Sequence, residues 1–161
     1  MPRLIQLCVT GSIAYGTNTE KSDVDLKGIT INTPQETLGF NKTKDFEEKV
    51  LGGLEYKTDD LRRFLRFVAG GNPNVIERLW VPEECKLFTS SGGQILYKKR
   101  NELISKQYPI VISKWVGGEL KKFDHLWANK PKEVAHLKRL LDCGINFCNT
   151  LEVYVKLQPS A

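Results

Sequence analysis

Short apolar runs broken by glycine open the chain, and a period of about 3.6 residues dominates from residue 59 onward. Residues 4–10 (LIQLCVT) are apolar and rich in β-formers and end at Gly11, which predicts a buried strand. After a polar loop from Gly16 to Ser22, residues 23–32 (DVDLKGITIN) alternate apolar and polar, the signature of a second strand. Pro34 begins a poorly patterned stretch to about Lys49, rich in Lys, Glu and Thr, that reads as a surface excursion. Gly52-Gly53 then breaks the chain before a short strand at 54–58 (LEYKT).

Helical spacing takes over from there. Thr58 or Asp59 is placed to cap a helix over roughly 59–69, with Leu61, Phe64, Leu65 and Val68 on one side and Arg62, Arg63 and Arg66 on the other. Gly70-Gly71 stops it, and Asn72-Pro73-Asn74 opens a second helix at about 74–80 that Pro82 ends. Further helices are predicted at 90–105, 109–123 and 131–150, the last with Val134, Leu137, Leu140, Leu141 and Ile145 as its buried stripe. Strands and mixed elements first, helices afterwards, predict an α+β fold with a helical C-terminal portion. The expected division is a core over 1–82 and a helical portion over 83–161 packed on it, compatible with one domain.

Composition narrows the class. At 161 residues the chain is long enough to bury a real core, and 40% hydrophobic with 27% charged residues is ordinary for a globular protein. No apolar run approaches the ~20 residues that span a bilayer. Met1-Pro2-Arg3 leads directly into the first strand, leaving no space for a signal peptide, so the cytoplasm is the expected compartment. Cys8, Cys85, Cys143 and Cys148 show no CxxC spacing, which signals neither a zinc site nor a disulfide framework. Cys8 and Cys148 fall in apolar patterns and are expected to be buried thiols. A net charge of +5 favours polyanionic partners such as nucleic acid or nucleotides, although the charge is spread along the chain.

The chemistry concentrates in "VTGSIAYGTNTEKSDVDLKGI", residues 9–29. Positions two apart share a face of a strand, so Asp23 and Asp25 converge two like charges. A divalent cation removes that penalty, because hard Mg²⁺ prefers carboxylate oxygens and completes its shell with water and phosphate oxygens. A solvated turn is the bland alternative for an isolated D-x-D. Its surroundings favour the metal: Gly11-Ser12 follows a strand directly, where a glycine lets backbone N–H groups approach a phosphate and the serine hydroxyl adds a donor. Glu55, in the strand-like LEYKT, is the candidate third acid. In two-metal phosphoryl transfer it would bind the ion that activates the attacking hydroxyl, or act as general base.

These residues resemble a known family. Gly11-Ser12, Ala14-Tyr15-Gly16 and Ser22-Asp23-Val24-Asp25-Leu26 look like the G-S…D-x-D signature of the DNA polymerase beta-like nucleotidyltransferase superfamily. The chain is similar, more narrowly, to predicted nucleotidyltransferases associated with RNA repair. There an acid-bearing strand precedes a D-L-R-K-F helix, a G-N-P-N segment and a glutamate. The counterparts are Glu55, Asp60-Leu61-Arg62-Arg63-Phe64, Gly71-Asn72-Pro73-Asn74 and Glu77. Ser113-Lys114 and the pattern at Lys132, His136, Leu137, Arg139, Leu140 and Leu141 extend the resemblance to about residue 145.

The resemblance implies a small mixed or antiparallel nucleotidyltransferase sheet flanked by helices. It also implies two Mg²⁺ ions, with Mn²⁺ as a substitute, and transfer of a nucleoside monophosphate from an NTP such as ATP to a hydroxyl. Asp23, Asp25 and Glu55 carry over as metal ligands, and Gly11, Ser12 and Tyr15 as nucleotide contacts. The residue after Gly-Ser is commonly arginine in this group and is Ile13 here, removing one phosphate contact. Lys132, His136 and Arg139 can share a helix face and are candidates for nucleotide contact. Arg62, Arg63 and Arg66 are candidates for nucleic-acid contact, with a solvated helix face as the alternative. Trp80, Trp115 and Trp127 read as packing residues, with stacking on a base as the alternative. His125 is assigned no role.

The expected acceptor is an RNA end, as in RNA repair or tRNA-end processing. A protein acceptor, as in small antitoxin-type members that attach AMP to a toxin, is the alternative that keeps the chemistry. Nucleotide or nucleic-acid binding without turnover is the alternative that drops it.

Overall fold

The computed structural model describes residues 2–39, 44–104, 108–122 and 131–155. Five strands form one sheet: β1 (Arg3–Thr10), β2 (Val24–Ile31), β3 (Phe46–Leu51), β4 (Leu54–Asp60) and β5 (Lys86–Thr89). Their order is β3-β4-β2-β1-β5, with β2 and β4 parallel and every other pair antiparallel. The helices are α1 (Gly11–Tyr15), α2 (Pro34–Leu38), α3 (Leu61–Ala69), α4 (Pro73–Ile76), α5 (Ser91–Leu103), α6 (Tyr108–Lys122) and α7 (Pro131–Thr150). The α+β class read from the sequence is what the chain adopts.

Strands expected at 4–10, 23–32 and 54–58 are β1, β2 and β4. β3 lies within the stretch read as a surface excursion. All six of its residues are exposed, so it has no buried face to leave a period-2 signal. Ladder bonds to β4 hold it instead, across a turn in which Gly52 and Gly53 both take positive φ. β5 is four residues long and α1 five, each too short for periodicity to register.

The cap of α3 is Asp60, whose Oδ1 accepts from the Arg62 backbone N–H at 3.0 Å. Thr58 and Asp59, the expected caps, are still inside β4. The second helix is also shorter than predicted, α4 giving way to a 3-10 turn at Glu77–Leu79.

α7 turns a different face inward from the one predicted. Leu137 and Leu140 are buried, but Val134, Leu141 and Ile145 are exposed, and Arg139, Cys143, Gly144 and Phe147 complete the inner face. The inward turn of Arg139 is stabilised by a buried partner, Glu77. Cys148, expected to be buried, is exposed; Cys8, Cys85 and Cys143 are buried, and all four thiols are free.

The main core joins Ile5 and Ile29 of the sheet, Phe64 and Val68 of α3, Leu79, and Tyr108, Ile112, Leu140 and Phe147 of the later helices. Side chains from both sides of residue 82 therefore share one core, and β5, beyond that point, belongs to the sheet. A smaller cluster of Cys8, Ala14, Val81, Cys85 and Val155 includes Ala14 of α1. Among the described residues, no helix is long and apolar enough to cross a membrane.

Candidate active site

Register brings the acids together. Asp25 pairs across the sheet with Thr10 of β1 on one side and with Glu55 of β4 on the other. The next rung on the same face holds Lys27 and Lys57. Two carboxylates and two ammonium groups thus form a square on one face of the parallel pair.

Within that square Glu55 is closely held. Its Oε1 lies 2.6 Å from Lys27 Nζ and 2.7 Å from Lys57 Nζ, and Lys57 also reaches Glu48 Oε1 at 2.8 Å. The hydrogen bond from Lys27, followed by that from Lys57, pulls the Glu55 carboxyl down to about 2 from its ordinary 4.5. Lys57 is shifted the other way, first by Glu48 and then by Glu55.

Asp23 is exposed just before β2 begins, where the Val24 N–H donates to the Gly53 carbonyl at 2.9 Å. That bond lays the β3–β4 turn against Asp23. On the other side of Asp25 stands Gly11, at φ +66°. A Cβ at Gly11 would fall 2.1 Å from Asp25 Oδ2, so glycine is required there by both backbone angle and space.

Behind Gly11 lies a buried ionic group. Tyr15 Oη donates to Glu77 Oε2 and Arg139 Nη1 to Glu77 Oε1, both at 2.8 Å. The Arg139 guanidinium sits 3.6 Å from the centroid of the Tyr15 ring. Glu77 and Arg139 are 3% and 5% exposed, so their charges are satisfied by each other rather than by water. Burial, then the Glu77 charge, pushes the Tyr15 hydroxyl well above its ordinary value, leaving it a proton donor.

Arg139 Nη2 also lies 3.4 Å from His136 Nδ1. A guanidinium only donates, so Nδ1 accepts and the imidazole carries its proton on Nε2. Burial first, and Arg139 second, lower the His136 pKa and favour this neutral form.

These residues open onto one cleft of about 690 Å³. Gly11, Ser12, Tyr15, Asp23, Asp25, Lys132, His136 and Arg139 all line it, with Thr17, Thr19, Ser22, Ala135 and Asn74. Eight of the residues singled out from sequence are thereby brought together. Arg139 lines the cleft with its charge already engaged by Glu77.

Glu55 is not among the lining residues; Lys27 and Lys57 stand with Asp25 on a smaller adjoining cleft. Among the described residues, no three His, Cys, Asp or Glu side chains are grouped closely enough to hold a metal ion. Asp23 and Asp25 do supply hard oxygen donors on one wall, which suits a cation that keeps part of its water shell.

The arginines of α3 lie elsewhere. Arg62 pairs with Asp60, while Arg63 pairs with Asp59 and stacks over Phe46 and Phe67. Arg66 is exposed. α3 begins where β4 ends, roughly 16 Å along the strand from Glu55 at ~3.3 Å per residue.

Sequence reasoning missed Lys27 and Lys57, although the spacing D-L-K at 25–27 and E-Y-K at 55–57 was the signal for both. His125 and Trp127 lie outside the described residues.

Residues 2–141 match the RNA repair pathway DNA polymerase beta family. A search of curated proteins finds no match. The matched span takes in the whole sheet, both sides of the cleft and the Glu77–Arg139 pair, and the chain belongs to the RNA repair pathway DNA polymerase beta family.

Proposed function

We propose that this chain is a Mg²⁺-dependent nucleotidyltransferase that moves a nucleoside monophosphate from an NTP to a hydroxyl at an RNA end, with release of pyrophosphate. The observation that carries the reading is the cleft itself, where Asp23 and Asp25 face the Gly11-Ser12 turn, Lys132 and His136. Family membership supports the reaction class, and the +5 charge is consistent with an RNA acceptor.

Asp23 and Asp25 would hold Mg²⁺. Bound there, the ion supplies charge neutralisation for the triphosphate and a lowered pKa for the attacking hydroxyl. Ser12 Oγ and Lys132 Nζ bind phosphate oxygens, and neutral His136 offers Nε2–H as a further donor. Tyr15, fixed by Glu77 and Arg139, holds α1 and with it the Gly-Ser turn. The acceptor oxygen bonds to the α-phosphorus as the bond to pyrophosphate breaks, and the hydroxyl proton passes to solvent.

A carboxylate held near pH 2 is a weak base, so Glu55 is not assigned as the general base; set off the cleft and paired with Lys27 and Lys57, it would join Asp23 and Asp25 as a ligand only by giving up those lysines. Arg62 and Arg66, exposed on α3, are assigned to the RNA acceptor, whereas Arg63 is engaged within the protein.

The test is incubation with each α-labelled NTP, Mg²⁺ or Mn²⁺, and either tRNA or a protein fraction. Label in RNA is expected. Label in protein alone moves the acceptor to protein, and NTP binding without transfer to either overturns the enzymatic reading.

A further inference from the structure

A second cleft, of about 350 Å³, is lined by residues of α6 and α7: Trp115, Glu119, Lys132, Glu133, His136 and Leu137. Lys132 and His136 also line the cleft that holds Asp23, Asp25 and the Gly-Ser turn, so the two spaces meet along one edge. We infer that this α6–α7 cleft takes the nucleobase of the NTP, and selects a base that carries an exocyclic amino group. The inference rests on the nucleotidyltransferase reading and extends it to the base.

Three properties of the cleft point to a base. Its volume is that of a small-ligand pocket, and it joins the phosphate-binding space directly. Its walls are aromatic and apolar: Trp115 and His136 meet edge to face at 6.1 Å and 80°, and Leu137 is buried beside them. A flat ring against an indole gains stacking energy whatever its sequence identity.

The third property is polarity. Lys132 and His136 belong to the shared edge and face both spaces. Away from that edge the polar lining is Glu119 and Glu133, both acceptors when ionised. Carboxylates accept from the amino group of adenine or cytosine, and they oppose the carbonyl-rich edge of uracil.

The experiment is calorimetric titration of the full chain, with Mg²⁺, by α,β-methylene ATP, α,β-methylene UTP and inorganic tripolyphosphate. Wild type is expected to bind the ATP analogue more tightly than either of the others. Trp115→Ala should weaken the ATP analogue roughly five- to 150-fold, the range for loss of one stacked base, and leave tripolyphosphate unchanged. Because Trp115 also packs against the core, Trp115→Phe serves as the folded control and should lose only part of that affinity.

A loss shared equally by tripolyphosphate overturns the base site, as does an unchanged ATP affinity in both variants. Equal binding of the ATP and UTP analogues overturns the amino-group selection. Failure of wild type to bind any of the three overturns the nucleotidyltransferase reading itself, an outcome distinct from the others.

Discussion

Gly11 and Asp25 are in such close contact that a single methyl group on Gly11 would occupy the position of the Asp25 carboxylate, 2.1 Å from Oδ2. The strand end and the D-x-D strand are thus locked to each other by the absence of a side chain. Gly11→Ala is expected to displace Asp25 and to force a positive φ on a residue with a Cβ, costing about 1–3 kcal/mol. Transfer should fall to below about 1% of wild type while circular dichroism stays native, the placement of Asp25 proposed to hold the metal being lost before the fold.

Asp23→Ala and Asp25→Ala test the proposed metal wall without strain. Each should reduce transfer to below about 1%, the loss expected when a charge-neutralising ion is no longer held. Thermal unfolding in the absence of metal should be unchanged or slightly higher, because a repulsive carboxylate has gone. An unfolded Asp25→Ala, or one with full activity, would count against the site.

The Lys27–Glu55–Lys57 arrangement makes a pH prediction. Glu55 titrates at about 2 in the folded chain against an ordinary 4.5, so its stabilising contribution is complete above pH 4.5. It is lost progressively as pH falls through about 2. Lys27→Met removes the largest cause of the shift and should raise the Glu55 carboxyl toward its ordinary value, as read by NMR titration. Urea unfolding between pH 5 and 2 should then show a shallower loss of stability than wild type.

Arg139→Ala leaves the Glu77 carboxylate buried without its counter-charge, held only by the Tyr15 hydroxyl. The expected cost is about 3–5 kcal/mol in denaturant unfolding. The double variant Glu77→Gln with Arg139→Met removes both charges together and should recover much of that loss. If the losses of Glu77→Gln and Arg139→Met, each measured alone, simply add to that of the double variant, Glu77 and Arg139 are not energetically coupled.

The three central strands were legible because each carries its own local signal: LIQLCVT, DVDLKGITIN and LEYKT all read as strands from pattern alone. So did the gathering of Gly11, Ser12, Asp23 and Asp25, which are close in the chain. What a local reading lacks is register. The sequence distance from Glu55 to Lys27 is 28 residues, and only the parallel β2–β4 pairing reveals that lysines have neutralised the third acid. The face of α7 failed for the same reason. Periodicity counts an arginine as outward-facing, and Glu77, 62 residues away, makes the inward position the stable one.

The placement of β5 separates the end of the acid-bearing segment from the end of the sheet. Asp23, Asp25 and Glu55 precede residue 82, yet β5 covers Gln6, Leu7 and Cys8 on the outer side of β1. A fragment cut after Pro82 would keep all three acids and leave β1 with a bare row of backbone donors and acceptors. Such an edge recruits other strands, so the shortest segment that carries all three candidate acids would be an aggregating one.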